Sequence, residues 1–85
     1  MSLFNLKNKS FLITGSSKGI GKSIAYHAAS HGAKVIISSR KIDACRETAD
    51  EINEQIGSEL AFPIAGNIAH EEELINLVNE TNKLL

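Results

Sequence analysis

Thr14 to Gly21 reads Thr-Gly-Ser-Ser-Lys-Gly-Ile-Gly, a glycine-rich turn between a strand-like apolar run, Phe11 to Thr14, and a helix-like run, Ile20 to His31. The helix-like run carries apolar residues at Ile20, Ile24, Ala25 and Ala28, the spacing of one helical face. The turn is therefore expected to end at a helix N-terminus. There the first backbone N–H groups lack intrahelical partners and the macrodipole is positive, so a pyrophosphate is stabilised without any side-chain charge. Gly15 suits the tight exit from the strand, Gly19 a close approach of backbone to phosphate, and Gly21 close packing of helix on strand. Gly21-Lys22-Ser23 also ends like a P-loop, but five residues separate Gly15 from Gly21 where that loop needs four. No later strand ends in the Asp that such a site uses to help hold Mg²⁺.

The alternation continues along the chain. Gly32 is a natural helix stop, and Lys34 to Ser39 forms a second strand whose nearly continuous apolar centre suits a parallel strand covered on both faces. Ile42 to Ile56 forms a second amphipathic helix, with Ile42, Cys45, Ala49, Ile52 and Ile56 on one stripe and Gly57 at its end. Leu60 to Ile68 gives a third strand, in which Pro63 suggests a strand edge or an irregularity because proline has no N–H for the ladder. Glu71 to Leu84 forms a third helix, with Glu71, Glu72 and Glu73 well placed in the first turn and Leu74, Leu77, Val78 and Thr81 along one face. This order predicts right-handed parallel crossovers and an α/β fold: the N-terminal half of a doubly wound (Rossmann) parallel sheet, strand order 3-2-1, with covering helices. No repeat or linker divides the chain. The first strand is left as an open apolar edge, so residues 1–85 are expected to be the N-terminal part of one dinucleotide-binding domain, stopping before its fourth strand.

The turn's spacing, Gly-x-x-x-Gly-x-Gly, departs from the Gly-x-Gly-x-x-Gly dinucleotide fingerprint. Thr14, Gly15, Gly19, Ile20 and Gly21 match all five fixed positions of Thr-Gly-x-x-x-Gly-Ile-Gly, and the chain here resembles the short-chain dehydrogenase/reductase family. The resemblance extends over the order of elements through the whole chain. It implies that Gly15, Ser17, Lys18, Gly19, Ile20 and Gly21 meet a dinucleotide, and that a complete protein transfers hydride between NADP(H) and a carbonyl or alcohol substrate as a homo-oligomer.

Charge at the end of the second strand bears on which dinucleotide is used. An acidic residue there accepts hydrogen bonds from a free ribose and repels a 2′-phosphate, whereas a nearby arginine accommodates the phosphate. Here Ser39 removes the repulsion and Arg40 supplies a bidentate, charge-assisted contact. Lys18 adds a second positive charge, and basic residues at these two places resemble the family's NADP-preferring members. NADP(H) is thus expected over NAD(H). Where the family has Asp-Val after the third strand, this chain has Asn67-Ile68; the Asn67 carbonyl can still accept a bond from the adenine amino group, more weakly than a carboxylate. The family's Asn-Asn-Ala-Gly segment and its Ser and Tyr-x-x-x-Lys group have no counterpart, since Tyr26 is followed four residues on by Ser30. No catalytic residue is assigned. The alternative function is a non-catalytic nucleotide-binding or interaction module.

Composition narrows the partners. A net charge of −1 supplies no basic field for nucleic acid and no anchor for an acidic membrane surface. Leu3, Phe4 and Leu6 are interrupted by Asn5 and Lys7, which argues against a signal-peptide core, and a cytoplasmic location is expected. Asn8-Lys9-Ser10 and Asn79-Glu80-Thr81 match the glycosylation pattern by chance on that reading. The single Cys45 reads as a small buried hydrophobe, His27, His31 and His70 as solvated helix residues, and no spacing suggests a metal.

Overall fold

Strand and helix alternate as β1 (Ser10–Thr14), α1 (Gly19–Ser30), β2 (Lys34–Ser38), α2 (Ile42–Ile56), β3 (Ala61–Pro63) and α3 (Glu71–Leu84). The structure, a computed structural model, describes residues 6–15 and 18–84; Ser17, Leu3 and Phe4 lie outside them. The three strands are parallel with β2 in the centre, the expected order 3-2-1. Ser10 to Thr14 pair in register with Lys34 to Ser38, and Val35 to Ile37 with Ala61 to Pro63.

The unbroken apolar run of β2 is explained by its position. Val35, Ile36 and Ile37 are fully buried, and because alternate residues of a strand point to opposite faces they feed two separate cores. Val35 and Ile37 meet Ala25, Ala28 and Ala29 of α1 and Cys45, Ala49 and Ile52 of α2 on one face. On the other, Ile36 meets Ile64 and Leu77 of α3, with Phe62 packed beside them. The small alanines of α1 let that helix lie close on the sheet. Lys22 Nζ and Glu51 Oε2 also pair across α1 and α2 at 2.7 Å, an exposed contact worth at most about 1 kcal/mol.

Turn chemistry sets the element ends. α1 closes in a Schellman pattern, with Gly32 N–H donating to Ala29 O at 2.9 Å and Ala33 N–H to Ala28 O at 3.1 Å. The third strand is shorter than the expected Leu60 to Ile68. Val35 N–H donates to Leu60 O and Ile64 N–H to Ile37 O, so in parallel register the Leu60 carbonyl, Phe62 and the Ile64 N–H face β2 while the backbone groups of Ala61 and Pro63 face outward. Pro63 therefore sits where no N–H is needed, on the outer side of an edge strand. Beyond Ile64, Gly66 N–H donates to Ser39 O at 2.9 Å.

Two apolar stripes are only partly buried. In α1 the alanines pack while Ile20 is 81% and Ile24 52% exposed. In α3, Leu77 and Thr81 are buried, but Leu74 and Val78 are exposed. Helical periodicity identified both helices; their stripes are wider than the surface that the described residues place against them.

Candidate functional site

Parallel strands send all their chain exits to one end of the sheet, and the loops leaving them define the ligand crevice of an open α/β fold. Here Thr14 and Gly15 leave β1, Ser38 to Lys41 leave β2, and Gly66 to Ile68 follow β3. Together with Lys18 and Ala44 they line a cleft of about 830 Å³, within the size range of small-molecule sites.

The turn after β1 has the backbone its glycines imply. Gly15 has φ +66° and Gly19 φ +58°, a region in which a side chain is strained, and a Cβ at either would have no protein atom within 4 Å. Conformation, not crowding, is what calls for glycine within the protein itself. Lys18 precedes α1 in extended conformation, with no side-chain cap and no acidic residue in the first turn. The positive end of α1 is left for an anion.

The turn after β2 is tied by side-chain hydrogen bonds. Ser39 Oγ accepts from Lys41 N–H at 3.4 Å, donates to Lys41 O at 3.3 Å, and lies 3.1 Å from Cys45 Sγ. Through its carbonyl Ser39 also holds Gly66, which joins the segment carrying Asn67 and Ile68 to the turn carrying Arg40, all of them lining the cleft. Asn67 is built into the start of α3: its Oδ1 accepts from Ala69 N–H at 3.0 Å, and its own N–H donates to Glu73 Oε1 at 3.2 Å. One lone pair of the carbonyl expected to face adenine is thereby used by the turn, leaving one acceptor position and the amide N–H₂.

Of the expected site residues, Gly15, Lys18, Ser39, Arg40, Asn67 and Ile68 line the cleft. Gly19, Ile20 and Gly21 lie in the first turn of α1, with the Ile20 side chain turned to solvent, and Ser17 is outside the described residues. The expected site residues did not include Thr14, Ser38, Lys41, Ala44 or Gly66, which also line the cleft. Lys41 had a signal, as a second cation beside Arg40. The cleft is lined by the cations Lys18, Arg40 and Lys41 and by no carboxylate, and none of these three makes an ion pair among the described residues. This donor set fits the phosphates of a dinucleotide.

The model of the family described as short chain dehydrogenase matches residues 9–85. An uncharacterized oxidoreductase, YvaG, of Bacillus subtilis is 41% identical over 68 residues, 80% of this chain and 26% of the relative. The crystal structure of L-sorbose reductase from Gluconobacter frateurii, complexed with NADPH and L-sorbose, superposes with a TM-score of 0.85 at 30% identity, over 93% of this chain and 30% of that one. A 3-ketoacyl-(acyl-carrier-protein) reductase from Brucella melitensis, complexed with NADH, superposes with a TM-score of 0.81 at 31% identity, over 91% of this chain and 30% of that one. The chain thus spans less than a third of the length of each of these proteins.

Proposed function

The chain belongs to the short-chain dehydrogenase family, and from that premise we propose that it is the dinucleotide-binding part of an oxidoreductase that prefers NADP(H) and acts on a carbonyl or alcohol substrate. The observation that carries the cofactor preference is the charge of the cleft, which is lined by Lys18, Arg40 and Lys41 without a carboxylate. When bound, a nicotinamide dinucleotide would give a hydride to a carbonyl substrate or accept one from an alcohol. The chain's own residues bind and orient it. The first turn of α1 and Gly15 receive the pyrophosphate, Ser39 and the cations receive the 2′-phosphate, and Asn67 and Ile68 bound the adenine side. The group that exchanges a proton with the substrate oxygen, and the substrate pocket itself, are assigned to sequence outside these 85 residues.

The test is cofactor titration of the protein translated from the full open reading frame that contains this chain. Arg40→Ala is expected to weaken NADPH by about 1.5–3 kcal/mol, the scale of a charge-assisted hydrogen bond, and to leave NADH almost unchanged. Lys18→Ala acts in the same direction but less, because lysine is a point charge on a flexible stem. Ser39→Asp, which repels the phosphate and offers a free ribose an acceptor, reverses the preference. Equal losses for both cofactors in all three variants would sink the assignment. A reading frame with no Tyr-x-x-x-Lys downstream would favour a non-catalytic nucleotide-binding module instead.

A further inference from the structure

Cys45 is fully buried and does not line the cleft, and its thiol meets two atoms of Ser39: the hydroxyl at 3.1 Å and the carbonyl at 3.9 Å. Ser39 does line the cleft. A serine hydroxyl has one proton and two lone pairs. The backbone N–H of Lys41 occupies one lone pair of Ser39 Oγ, and the hydroxyl proton points to the Lys41 carbonyl.

We propose that Cys45 is a positioning residue that sets cofactor selectivity: its S–H donates to the second lone pair of Ser39 Oγ, so that the Ser39 hydroxyl meets a ligand only as a donor. The inference rests on the reading of the cleft as a dinucleotide site. When a ligand arrives, the hydroxyl proton leaves the carbonyl of Lys41, which keeps the backbone N–H of Cys45 as its partner at 3.2 Å. A phosphate monoester presents acceptor oxygens and matches such a donor. The 2′-hydroxyl of an unphosphorylated ribose also carries a proton, which finds no acceptor on Ser39 Oγ while Lys41 N–H and Cys45 S–H hold both lone pairs. Cys45 thereby acts through Ser39 to favour a 2′-phosphate over a free ribose. The adjacent cations Arg40 and Lys41 supply charge; this buried thiol supplies hydrogen-bond polarity.

The experiment measures the ratio of the NADH and NADPH dissociation constants, by fluorescence titration, in the protein from the full open reading frame. The wild type is compared with Cys45→Ala, Cys45→Val, Cys45→Ser and Arg40→Ala. Cys45→Ala and Cys45→Val each remove the S–H and free an acceptor on Ser39, and each is expected to lower the ratio about fivefold, one hydrogen bond's worth. Valine nearly keeps the volume, so it serves where the alanine cavity prevents folding. Cys45→Ser keeps a donor and is expected to retain the ratio. A residue that only fills the core would shift both affinities together and leave the ratio unmoved. A ratio unchanged in Cys45→Val while it falls in Arg40→Ala overturns this inference alone. A ratio that Arg40→Ala does not move overturns the cofactor reading together with it.

Discussion

Gly19 and Gly57 form a matched pair that separates what the backbone needs from what a ligand needs. Their φ angles are +58° and +70°, and a Cβ at either would meet no protein atom within 4 Å. Gly57 ends α2, away from the cleft, whereas Gly19 opens α1 beside it. Alanine at either position is strained by the left-handed backbone alone, so each substitution should cost about 1–2 kcal/mol in urea unfolding. Binding should differ. On the proposed function the methyl of Gly19→Ala would stand at the helix start that receives the pyrophosphate, so this variant is expected to weaken both NADPH and NADH beyond tenfold, while Gly57→Ala leaves both unchanged. Equal binding in the two variants would remove Gly19 from the phosphate site. At this scale the sequence was most legible where a residue type answers to backbone geometry, as at Gly15, whose φ of +66° fits the tight exit from β1. It was least legible where a contact joins residues that no periodicity relates, as with Ser39 and Cys45, or Ser39 and Gly66.

Among the elements, α2 and α3 have the bounds their stripes and end residues imply, Ile42–Ile56 and Glu71–Leu84. β3 does not, and Asn53 accounts for how so short a strand is held. From within α2 its side chain reaches the outer edge of β3: Oδ1 accepts from Leu60 N–H at 3.0 Å and Ala61 N–H at 2.8 Å, and Nδ2 donates to Ala61 O at 2.9 Å. The amide thus completes backbone bonds that a neighbouring strand would otherwise make, and it blunts an exposed edge. In the sequence Asn53 is one polar residue on an amphipathic helix, and nothing in its spacing marks it, because the interaction exists only once the chain has crossed back over the sheet. Asn53→Ala strands three part-buried backbone groups and is expected to cost about 2–4 kcal/mol, read as a lower urea midpoint with an unchanged slope. Asn53→Asp keeps the acceptor and loses the donor, so a smaller loss is expected. If the two variants lose the same amount, the two N–H contacts contribute nothing to the stability of the edge.

Across the whole molecule the contrast lies between β2 and β1. β2 is covered on both faces, whereas Phe11 and Leu12, successive residues on opposite faces of β1, are 37% and 39% exposed. β1 pairs with β2 on one side, and among the described residues no strand lies on its other side, so that side is an open sheet edge. Ile24 of α1 and Leu74, Ile75 and Val78 of α3 add further exposed apolar surface. Burying one such side chain is worth about 1.5–3 kcal/mol, so several of them beside an open strand edge are a strong drive to association. The 85-residue chain by itself is therefore expected to bind an apolar dye and to associate with rising concentration in sedimentation runs. Leu12→Lys combined with Ile24→Glu places charge beside the edge and on the neighbouring helix. Neither side chain belongs to the buried clusters, so folding should be retained while association weakens more than tenfold. The protein from the full open reading frame serves as the comparison: if further chain covers β1 as the length of the solved relatives suggests, its dye binding per molecule should be lower than that of the 85 residues alone. A monodisperse 85-residue monomer at every concentration, with no dye bound, would show that this surface is tolerated in water and would favour the reading in which the short chain is a finished module.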